Sequence, residues 1–484
     1  MKKLTDILKN PPVREVCGDT AAAIGGLVYD SRAVKPGDCF FAVPGTQSDG
    51  HDYIPIAVEK GAAAIVCERM PADAAEGVAY VLVGDSAGAM ADMAAAFYDY
   101  PSRELKLVGI TGTNGKTTTA TLLYDLVRAM GYKAGLISTV VYKIDGREVE
   151  ATHTTPDSIR LNAMMREMAD AGCAYCFMEC SSHAIVQERT RGLDFAGGIF
   201  SNITHDHLDY HKTFAEYIRA KKLFFDGLPK GAFALTNADD RNGRVMVQNT
   251  AAAVSAYSLR AMADFRCKIV EMHLDGMLLR IDGQELWVGL LGRFNAYNLL
   301  AVYGAAALLG LNRGEVLRVL SMLHAVSGRF EKIRAANGTT AIVDYAHTPD
   351  ALENVIQTIE EIRTPGQQLI VVCGCGGDRD RTKRPEMAAI AVKYATTAVF
   401  TSDNPRHESP EAILDDMVAG LEPGARYLRI ADRAEAIRTA VMLSRPGDII
   451  LVAGKGHETY QIVGDVKHPF DDREEIKKRF ALLN

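Results

Sequence analysis

A glycine-rich segment at residues 109–119 constrains the fold of this chain more than any other feature. It follows an apolar run at residues 105–110, which predicts a buried strand, and it precedes apolar residues at helical spacing. In such a strand–loop–helix unit, the glycines let backbone N–H groups approach phosphate oxygens, and the helix N-terminus favours their negative charge. The segment therefore predicts an α/β fold around a nucleoside triphosphate site.

The loop also carries the side chains that phosphate binding needs. Lys116 stands where it would reach the β- and γ-phosphates, and the Thr117 hydroxyl stands where it would contact Mg²⁺. The pattern G-x-x-x-x-G-K-[ST] is matched imperfectly, because Ile110 occupies its first position and the glycine is Gly109. A glycine-rich turn with a chance lysine is the alternative, but strand, loop, Lys-Thr pair and helix all agree with a phosphate loop. The predicted ATP contacts in this loop are Gly112, Thr113, Asn114, Gly115, Lys116, Thr117 and Thr118.

The chain has 484 residues, enough for about three domains. Residues 1–102 mix short strands and helices, whereas residues 103–328 and 329–484 alternate strands with helices. Alternation predicts mostly parallel sheets covered on both faces, so we expect a central phosphate-loop domain and a doubly wound, Rossmann-like C-terminal domain. The predicted strands of these two domains cover residues 105–110, 175–178, 198–203, 232–236, 340–343, 368–372, 398–401 and 448–452.

The charge balance narrows the classes of partner. A net charge of −7 and a pI near 6.0 argue against general binding to nucleic acid or anionic membranes. No apolar run approaches the roughly 20 residues that cross a bilayer, and the first residues lack the apolar core of a signal peptide. We therefore expect a cytoplasmic protein with no nucleic-acid partner and no membrane insertion, and we expect it to act as a monomer.

The nine cysteines agree with a reducing compartment. The spacing of Cys173, Cys176 and Cys180 admits a zinc site, but the apolar residues between them favour buried thiols on a strand. Cys373 and Cys375 lie where a predicted strand passes into a loop, and the same interpretation is favoured there.

Polar residues follow the predicted strands of the central domain. Glu179 at a strand end is a suitable Mg²⁺ ligand, because Mg²⁺ prefers hard oxygen donors, and an ion pair with an arginine such as Arg189 is the alternative. Residues 204–211 contain three histidines and two aspartates, which predict either a polar site or a solvated loop with one structural histidine. Lys221 and Lys222 point in different directions on a predicted helix, so at most one of them faces a site, and a surface pair is the alternative.

Two asparagines precede a long apolar helix at residues 299–309. Asn295 and Asn298 lie one helical turn apart, and either could cap the helix or hydrogen-bond the edge of an adenine. Capping explains one of them and not obviously both.

Taken together, these motifs resemble those of the Mur ligases, the ATP-dependent amino-acid ligases that build the stem peptide of peptidoglycan. The resemblance covers essentially the whole chain, in the family's order. It rests on Thr-Gly-Thr-Asn-Gly-Lys-Thr-Thr at residues 111–118, Glu179 with Ser181-Ser182-His183, Asp206-His207-Leu208-Asp209, Asn295-x-x-Asn298, Ser327-Gly328-Arg329 and Asp344-Tyr345-Ala346-His347. Asp-Asn-Pro-Arg at residues 403–406 is similar to the signature of members that add meso-2,6-diaminopimelate.

The resemblance implies a UDP-binding N-terminal domain, a central ATPase and a C-terminal amino-acid domain. It implies that the chain adds meso-2,6-diaminopimelate to UDP-N-acetylmuramoyl-L-alanyl-D-glutamate, with ATP and Mg²⁺, in peptidoglycan precursor synthesis. In that reaction ATP phosphorylates the γ-carboxylate of the D-glutamyl residue, and an amine then attacks the acyl phosphate.

The same resemblance implies roles for individual residues. The implied contacts to the UDP-sugar-dipeptide are Tyr29, Ser31, Thr46, Gln47, Ser48, Thr154, Thr155, Ser181, Gln187 and Arg189. Further implied ATP contacts are Asn295, Arg329 and Asp344. The implied diaminopimelate contacts are Arg379, Asp403, Asn404, Pro405, Arg406, Gly454 and Glu458. The implied catalytic residues are Lys116, Glu179, His207 and Lys221, and the implied Mg²⁺ ligands are Thr117, Glu179, His207 and a carbamylated Lys221. His153 stands where the resemblance leads us to expect asparagine, which puts its substrate contact in doubt.

The choice of amino acid depends on residues 403–406. Arg406 is suited to bind the distal carboxylate of diaminopimelate bidentately, while Asp403 and Glu458 could take the ammonium. An L-lysine-adding homologue is the related alternative, and Arg406 argues against it. A folylpolyglutamate synthase would not need the uridine-site residues, and a non-catalytic nucleotide-binding scaffold would not need the catalytic lysines, carboxylate and histidine together.

Overall fold

The computed structural model describes residues 1–45, 48–206 and 208–483, without the side chains of Leu208 and Asp209. Within that range, the chain forms three large β-sheets of five, eleven and six strands, and two small two-stranded sheets. The large sheets follow one another along the chain and share no strand. The predicted α/β class, with large and mostly parallel sheets, is confirmed.

The N-terminal part of the chain folds around the five-stranded sheet. Its elements are β1 (Lys2–Lys3), α1 (Leu4–Ile7), β2 (Val13–Cys17), β3 (Ala23–Ile24), β4 (Leu27–Val28), β5 (Cys39–Phe41), α2 (Ile54–Glu59), β6 (Ala64–Cys67), β7 (Ala79–Val83) and α3 (Ser86–Phe97). The strand order is β2-β7-β6-β5-β4, and β2 alone runs antiparallel to its neighbour in this sheet. Helix α3 begins where the Asp85 carboxylate accepts the N–H groups of Ala87 and Gly88, a side-chain cap that fixes its start.

The central part carries the eleven-stranded sheet. Its strands are β8 (Lys106–Thr111), β9 (Ala134–Ile137), β10 (Val141–Ile144), β11 (Arg147–Glu150), β12 (Tyr175–Glu179), β13 (Gly197–Phe200), β14 (Phe233–Asn237), β15 (Ala253–Ser258), β16 (Phe265–His273), β17 (Gly276–Ile281) and β18 (Gln284–Val288). Its helices are α4 (Lys116–Ala129), α5 (Ser158–Asp170), α6 (Ser182–Val186), α7 (Leu208–His211), α8 (Phe214–Asp226), α9 (Gly243–Met246), α10 (Arg293–Leu308) and α11 (Arg313–Leu320).

The order of this sheet is β11-β10-β9-β12-β8-β13-β14-β15-β16-β17-β18. The seven strands from β9 to β16 in this order are parallel, and antiparallel strands extend the sheet at both edges. On β8, Val108 and Ile110 face a core shared with α4 and α10, whereas Leu107 faces a core shared with α5 and α8. Because β8 is buried on both faces, its apolar run is continuous rather than alternating.

The C-terminal part folds around the six-stranded sheet. Its strands are β19 (Glu331–Arg334), β20 (Thr340–Asp344), β21 (Leu369–Cys373), β22 (Thr397–Phe400), β23 (Tyr427–Arg429), β24 (Ile449–Ala453), β25 (Tyr460–Val463) and β26 (Val466–Pro469). Its helices are α12 (Pro349–Ile362), α13 (Lys383–Tyr394), α14 (Pro410–Val418), α15 (Arg433–Leu443) and α16 (Asp472–Phe480). The order is β19-β20-β24-β21-β22-β23, with β19 antiparallel to β20 and the other neighbours parallel, while β25 and β26 form a separate hairpin. Ligand-binding loops in such sheets leave the carboxyl ends of the strands.

The predicted strands agree with the structure to within a residue at most ends. The exception is the predicted strand at residues 198–203, which ends at Phe200 because Ser201 and Asn202 turn to contact the phosphate loop. None of the helices in the described part of the chain combines the length and apolarity that crossing a bilayer requires. All nine cysteines are free thiols, and Cys173, Cys176 and Cys180 are buried.

Candidate active site

The phosphate loop connects β8 to α4 and is shaped by two glycines. Gly112 and Gly115 have φ of +152° and +87°, a region that side chains disfavour. A Cβ on Gly112 would lie 2.0 Å from Ser201 Oγ, and a Cβ on Gly115 would lie 2.5 Å from Asn298 Oδ1. Gly115 is the N-cap of α4 and no side chain caps that helix within the described part of the chain, so its first N–H groups face the loop.

The segment that leaves β13 holds the loop in place. Asn202 Oδ1 accepts the Asn114 N–H at 2.9 Å, and Asn202 Nδ2 donates to the Asn114 carbonyl at 3.1 Å. The Asn202 carbonyl accepts the Thr113 N–H at 2.8 Å, and Ser201 Oγ donates to the Asn114 carbonyl at 2.6 Å. These four hydrogen bonds fix the backbone of the loop before any phosphate arrives.

Two lysines converge on the same loop. Lys116 Nζ donates to the Gly112 and Thr113 carbonyls at 2.9 and 2.8 Å, and Lys221 Nζ donates to the Gly112 carbonyl at 2.8 Å. Burial lowers the pKa of both amines, and for Lys221 the neighbouring Lys116 charge lowers the pKa further, well below its usual value. Lys222 instead pairs with Asp226 on the same helix, so one of the two adjacent lysines faces the site.

Glu179 reaches the same site from the end of β12. Its Oε1 accepts the Thr139 N–H at 2.7 Å, while its Oε2 is buried with no hydrogen-bond partner in the described part of the chain. An unsatisfied buried carboxylate oxygen costs about 1–3 kcal/mol, and binding a cation would remove that cost. Glu179 lines one cavity together with Thr117, Asp206 and Lys221, and the oxygen atoms of the first three are of the kind that Mg²⁺ prefers. The predicted ligand His207 lies outside the described residues.

Five predicted dipeptide contacts come together beside Glu179: Thr154, Thr155, Ser181, Gln187 and Arg189. Thr155 Oγ1 donates to the Glu179 carbonyl at 2.7 Å and accepts the Ser181 N–H at 3.1 Å. Arg189 donates to the Thr155 carbonyl at 2.7 Å and to Gln187 Oε1 at 2.6 Å. The alternative of a Glu179–Arg189 ion pair is therefore wrong, because the guanidinium is held by Thr155 and Gln187.

His153 lies apart from this cluster. Its side chain is exposed, with Nδ1 3.3 Å from the Thr152 hydroxyl, and it does not line the cavity. Its backbone N–H and carbonyl are both hydrogen-bonded to the Tyr142 hydroxyl. The backbone of this segment is thus fixed, while the exposed His153 ring does not line the cavity.

Of the predicted N-terminal contacts, Tyr29 lies near the dipeptide cluster, since the charge of Arg189 acts on its hydroxyl. Tyr29 is 48% exposed, and burial together with the Asp157 carboxylate raises its pKa while Arg189 opposes that effect. Ser31 is buried in a short turn whose start is capped by the Asp30 carboxylate. Ser48 is exposed and its carbonyl accepts the Gly45 N–H at 2.9 Å. Thr46 and Gln47 lie outside the described residues.

A cavity of about 530 Å³ lies between the central and C-terminal parts of the chain. A volume of this size suits a small organic ligand such as a nucleotide. One wall carries the phosphate loop, Glu179 and Lys221. The opposite wall carries Arg329, Asp344, Tyr345, Ala346, His347, Asp350, Ala351, Asn354 and Val355. The remaining wall, where the loop after β14 meets α10, is lined by Asn237, Asp239, Tyr257, Arg260, Phe294, Tyr297 and Asn298.

The two asparagines of α10 occupy different positions. Asn298 lines the cavity, and its Oδ1 accepts a long hydrogen bond of 3.5 Å from Thr119 Oγ1. Asn295 lies behind it, accepts from Asn298 Nδ2 at 3.2 Å and donates to the Leu291 carbonyl at 2.7 Å. Capping explains neither residue, because the N-cap of α10 is Gly292. Asn295 therefore orients Asn298 rather than reaching the cavity itself.

Arg329 and Asp344 bring the C-terminal part to the phosphate loop. Arg329 Nη2 donates to Thr117 Oγ1 at 3.1 Å, and its guanidinium lies 4.5 Å from the centre of the Tyr345 ring. Asp344 Oδ2 accepts the Phe330 N–H at 2.7 Å, and burial raises the pKa of this carboxyl. Both residues line the cavity, as their predicted role in nucleotide binding requires.

The predicted amino-acid contacts lie on loops that leave β21, β22 and β24. Arg406 has φ +51°, and its Nη1 donates to the Gly377 carbonyl at 2.8 Å and to the Asn404 carbonyl at 3.5 Å. Among the described residues it forms no salt bridge, and burial together with the nearby Arg379 charge lowers its pKa. The Arg406 guanidinium is thus a half-buried positive charge whose hydrogen-bond acceptors are neutral carbonyls.

A buried acid lies beside this guanidinium. Asp403 Oδ2 has no hydrogen-bond partner among the residues that the structure describes. Gly454 has φ +115°, and a Cβ there would lie 2.4 Å from Asp403 Oδ2, so glycine keeps the space around the acid open. Glu458 Oε2 instead accepts from Lys455 at 2.8 Å and from Asn404 at 2.9 Å. Asp403 is therefore the better placed of the two acids for a ligand ammonium.

The sequence interpretation missed several residues that shape the site. Contacts between distant parts of the chain hold loops or carboxylates in place through Ser201, Asn202, Thr139 and Lys455, the last of which donates to Asn404 Oδ1. Asn202 is 88 residues from Asn114 in the sequence, and no local pattern marks such a pair. The polar segment that follows β13 was the one available signal.

Models of three domain families match successive parts of the chain. The Mur ligase family catalytic domain matches residues 23–98, the Mur ligase middle domain matches residues 110–306, and the Mur ligase glutamate ligase domain matches residues 328–456.

Curated relatives match over nearly the full length. A UDP-N-acetylmuramoyl-L-alanyl-D-glutamate–2,6-diaminopimelate ligase of Phocaeicola vulgatus is 55% identical over 481 residues, covering 99% of each chain. Proteins of the same name are 55% identical in Bacteroides fragilis, over 99% of each chain, and 45% identical in Geobacillus thermodenitrificans, over 93% of each chain.

Solved structures agree with this similarity. The structure of a UDP-N-acetylmuramoyl-L-alanyl-D-glutamate–2,6-diaminopimelate ligase matches with a TM-score of 0.71 and 31% identity, covering 100% of this chain and 99% of the other. A folylpolyglutamate synthase of Mycobacterium tuberculosis matches with a TM-score of 0.62 at 18% identity, covering 75% of this chain and 91% of the other, which shows a shared fold alone. Because the domain models match in order and the relatives reach 55% identity over 99% of the chain, the chain belongs to the Mur ligase family.

Proposed function

We propose that this Mur ligase adds meso-2,6-diaminopimelate to UDP-N-acetylmuramoyl-L-alanyl-D-glutamate, with hydrolysis of ATP to ADP and phosphate, in peptidoglycan precursor synthesis. The names of relatives at 55% identity support this choice of substrates. The observation that carries it lies in the C-terminal loops. Arg406 offers a guanidinium with no salt bridge among the described residues, and Asp403 offers a buried carboxylate oxygen with no donor there. A ligand end that carries both a carboxylate and an ammonium matches this pair.

We assign the UDP-sugar to residues 1–102, ATP to residues 103–328 and the amino acid to residues 329–484. The three large sheets support these boundaries, since each lies within one of the assigned ranges. The nucleotide cavity has walls from the central and C-terminal parts, so the catalytic arrangement forms when these parts are closed on each other. We further propose a monomer that acts in the cytoplasm, where ATP is available, and size-exclusion chromatography would test the first point.

The first chemical step joins two anions, the γ-carboxylate of the dipeptide and the γ-phosphate of ATP. Two unit charges 4 Å apart repel by roughly 4 kcal/mol at an effective dielectric of 20. Lys116 lies on the phosphate loop and can offset part of this repulsion on the phosphate side. Thr155, Ser181 and Arg189 lie beside Glu179 and would hold the dipeptide on the other side.

We propose that Thr117 and Glu179 hold one Mg²⁺, and that Glu179, His207 and a carbamylated Lys221 hold a second. When bound, Mg²⁺ would neutralise phosphate charge and align the attacking carboxylate. The unsatisfied Oε2 of Glu179 supports the assignment from the chain's own geometry.

The carbamate is supported by the environment of Lys221. Burial and the Lys116 charge lower the pKa of Lys221 well below its usual value, which favours the neutral, nucleophilic amine over the ammonium. The neutral amine forms an N–C bond to carbon dioxide and loses a proton, which turns the amine into an anionic carbamate with oxygen ligands. Labelling with ¹³C-bicarbonate should give a carbamate carbonyl signal in the wild type, and a Lys221→Ala variant should lose it. A signal that persists in Lys221→Ala would contradict the assignment.

The experiment that tests the proposed function is a substrate-omission assay. ADP release should require the UDP-muramoyl-dipeptide and meso-diaminopimelate together, and the nucleotide product should gain the mass of one diaminopimelate less one water. Rapid ADP release without the dipeptide, or a product of unchanged mass, would contradict the proposal. Folylpolyglutamate synthesis and a non-catalytic scaffold would both fail this test.

A further inference from the structure

Helix α12 of the C-terminal part places one carboxylate directly on the phosphate loop. Asp350 Oδ2 accepts from Asn114 Nδ2 at 2.9 Å. The same oxygen accepts from Thr204 Oγ1 at 3.3 Å. Asn114 belongs to the phosphate loop, and Thr204 belongs to the segment that leaves β13 and leads to Asp206. One side chain from the C-terminal part thus contacts both loops that line the ATP-binding wall.

These contacts join parts of the chain that are far apart in sequence. Asp350 is 236 residues from Asn114 and 146 residues from Thr204. A second, longer contact of 3.9 Å joins His205 Nε2 to Asp380 Oδ2, and Asp380 follows the predicted amino-acid contact Arg379. Two carboxylates of the C-terminal part therefore lie next to residues 204–205, and the Asp350 carboxylate accepts a hydrogen bond there.

Among the described residues, Arg329 of the C-terminal part also bonds to Thr117 at the helical end of the loop, whereas the loop backbone at residues 113–114 is held from within the central part. Asn114 is fixed through its backbone by Ser201 and Asn202, and its side-chain amide is left to meet Asp350. If the C-terminal part moves away, both bonds to Asp350 are lost together. Because the C-terminal part also carries the amino-acid loops, the contact links the position of those loops to the hydrogen bonding of the phosphate loop.

We propose that Asp350 is a positioning residue that aligns the C-terminal part on the phosphate loop, so that the amino acid meets the acyl phosphate. This inference rests on the proposed function. Asp350 lines the same cavity as the phosphate loop, and the role that we assign to it acts through its hydrogen bonds to Asn114 and Thr204. Loss of the two hydrogen bonds should lower the population of the aligned state and hence kcat, without changing the amino-acid loops themselves.

The test compares Asp350→Ala, Asp350→Asn and Glu353→Ala. Asp350→Ala should lower kcat roughly 5- to 50-fold, the range for one or two lost hydrogen bonds, while the KM for diaminopimelate stays within about twofold. Asp350→Asn keeps an acceptor oxygen and should restore most of the lost rate. Glu353→Ala is the matched control, because Glu353 lies one turn later on α12 and bonds to Tyr394 within the C-terminal part.

A Thr204→Val exchange adds a coupling measurement. If Asp350 acts through Thr204, the double variant should lose clearly less activity than the product of the two single losses, and a loss equal to that product would contradict the shared bond. A kcat for Asp350→Ala within twofold of wild type would overturn the proposal. So would an equal loss in Glu353→Ala, or a rise in the diaminopimelate KM that matches the fall in kcat.

Small-angle scattering separates failure of this inference from failure of the proposed function. With a non-hydrolysable ATP analogue and Mg²⁺, Asp350→Ala should show a larger radius of gyration than the wild type and the Glu353→Ala control. This reading does not depend on which amino acid the protein uses. If the wild-type protein forms no product, the proposed function is refuted. If wild type and Asp350→Ala have the same radius of gyration, the role of Asp350 is refuted.

Discussion

Replacing Arg406 with alanine should remove the preference for diaminopimelate over L-lysine. The two amino acids differ at the distal carbon, where diaminopimelate carries a carboxylate and lysine carries none. In the structure, the Arg406 guanidinium donates to two carbonyls and forms no salt bridge among the described residues. Its remaining N–H groups are therefore suited to a bidentate contact with the distal carboxylate.

The size of the effect follows from the burial of this guanidinium. A hydrogen bond to a charged group contributes about 1.5–3 kcal/mol, and partial exposure of Arg406 reduces the gain from a second bond. We take about 2–4 kcal/mol for the pair, which is roughly a 30- to 700-fold loss in kcat/KM for diaminopimelate at 1.4 kcal/mol per tenfold. The kcat/KM for L-lysine, which has no carboxylate to lose, should change by less than about threefold.

The assay is initial-rate ADP release with each amino acid in turn. Arg381→Ala is the matched control, because Arg381 is an exposed arginine near the same loop that pairs with Asp416. The KM for ATP should stay unchanged in both variants. An equal loss with diaminopimelate and with lysine, or an equal loss in Arg381→Ala, would refute the assigned role of Arg406.

Three further predictions concern the metal site, a buried ion pair and pH. Glu179→Gln keeps an acceptor for the Thr139 N–H but removes the charge. The Mg²⁺ concentration at half-maximal rate should therefore rise at least about tenfold, and an unchanged Mg²⁺ concentration at half-maximal rate would contradict the ligand assignment. Asp472→Ala leaves Arg433 buried without its 2.7 Å partner and should lower the free energy of unfolding by about 3–5 kcal/mol in urea titration, and a loss below 1 kcal/mol would contradict this. Burial, with the charges of Arg329 and Arg473, lowers the pKa of His457 to about 3 in the folded chain. In the unfolded chain this histidine has a pKa of about 6.5, so as the pH falls it takes up a proton there while it stays neutral in the folded chain. The contribution of His457 to the free energy of unfolding is therefore fully present above about pH 6.5 and falls by up to about 2 kcal/mol at pH 5. His457→Gln should remove this part of the pH dependence, and an equal dependence in the variant would contradict the assignment.

Much of the fold followed from local pattern. The apolar runs of the parallel strands are continuous because helices cover both faces, and such runs are readable without knowing what they pack against. Strands β9 to β11 and β15 to β18 of the central sheet were not predicted. In β11 and β16 the apolar pattern is weak, because many residues of both strands are exposed or half-buried.

Residues of the site that lie in local motifs could be predicted, whereas contacts between distant segments could not. Glycine-rich loops and strand ends mark Lys116, Glu179 and Asp403 because the chemistry and the turn are encoded within a few residues. The local pattern left both Asn295 and Asn298 as candidate adenine contacts, but the structure places Asn295 behind Asn298. Contacts such as those of Asn202 and Asp350 with Asn114 depend on how separate parts of the chain meet, and no spacing in the sequence marks them.

The most direct test of the central claim is a competition between amino acids. Purified wild-type protein would receive ATP, Mg²⁺, the UDP-muramoyl-dipeptide and equal concentrations of meso-diaminopimelate and L-lysine, and the nucleotide products would be separated by mass. The product that carries diaminopimelate should form in large excess over the product that carries lysine. A product that carries mainly lysine would retain the ligase chemistry and contradict the role given to Arg406, and the absence of any ligated product would contradict the account as a whole.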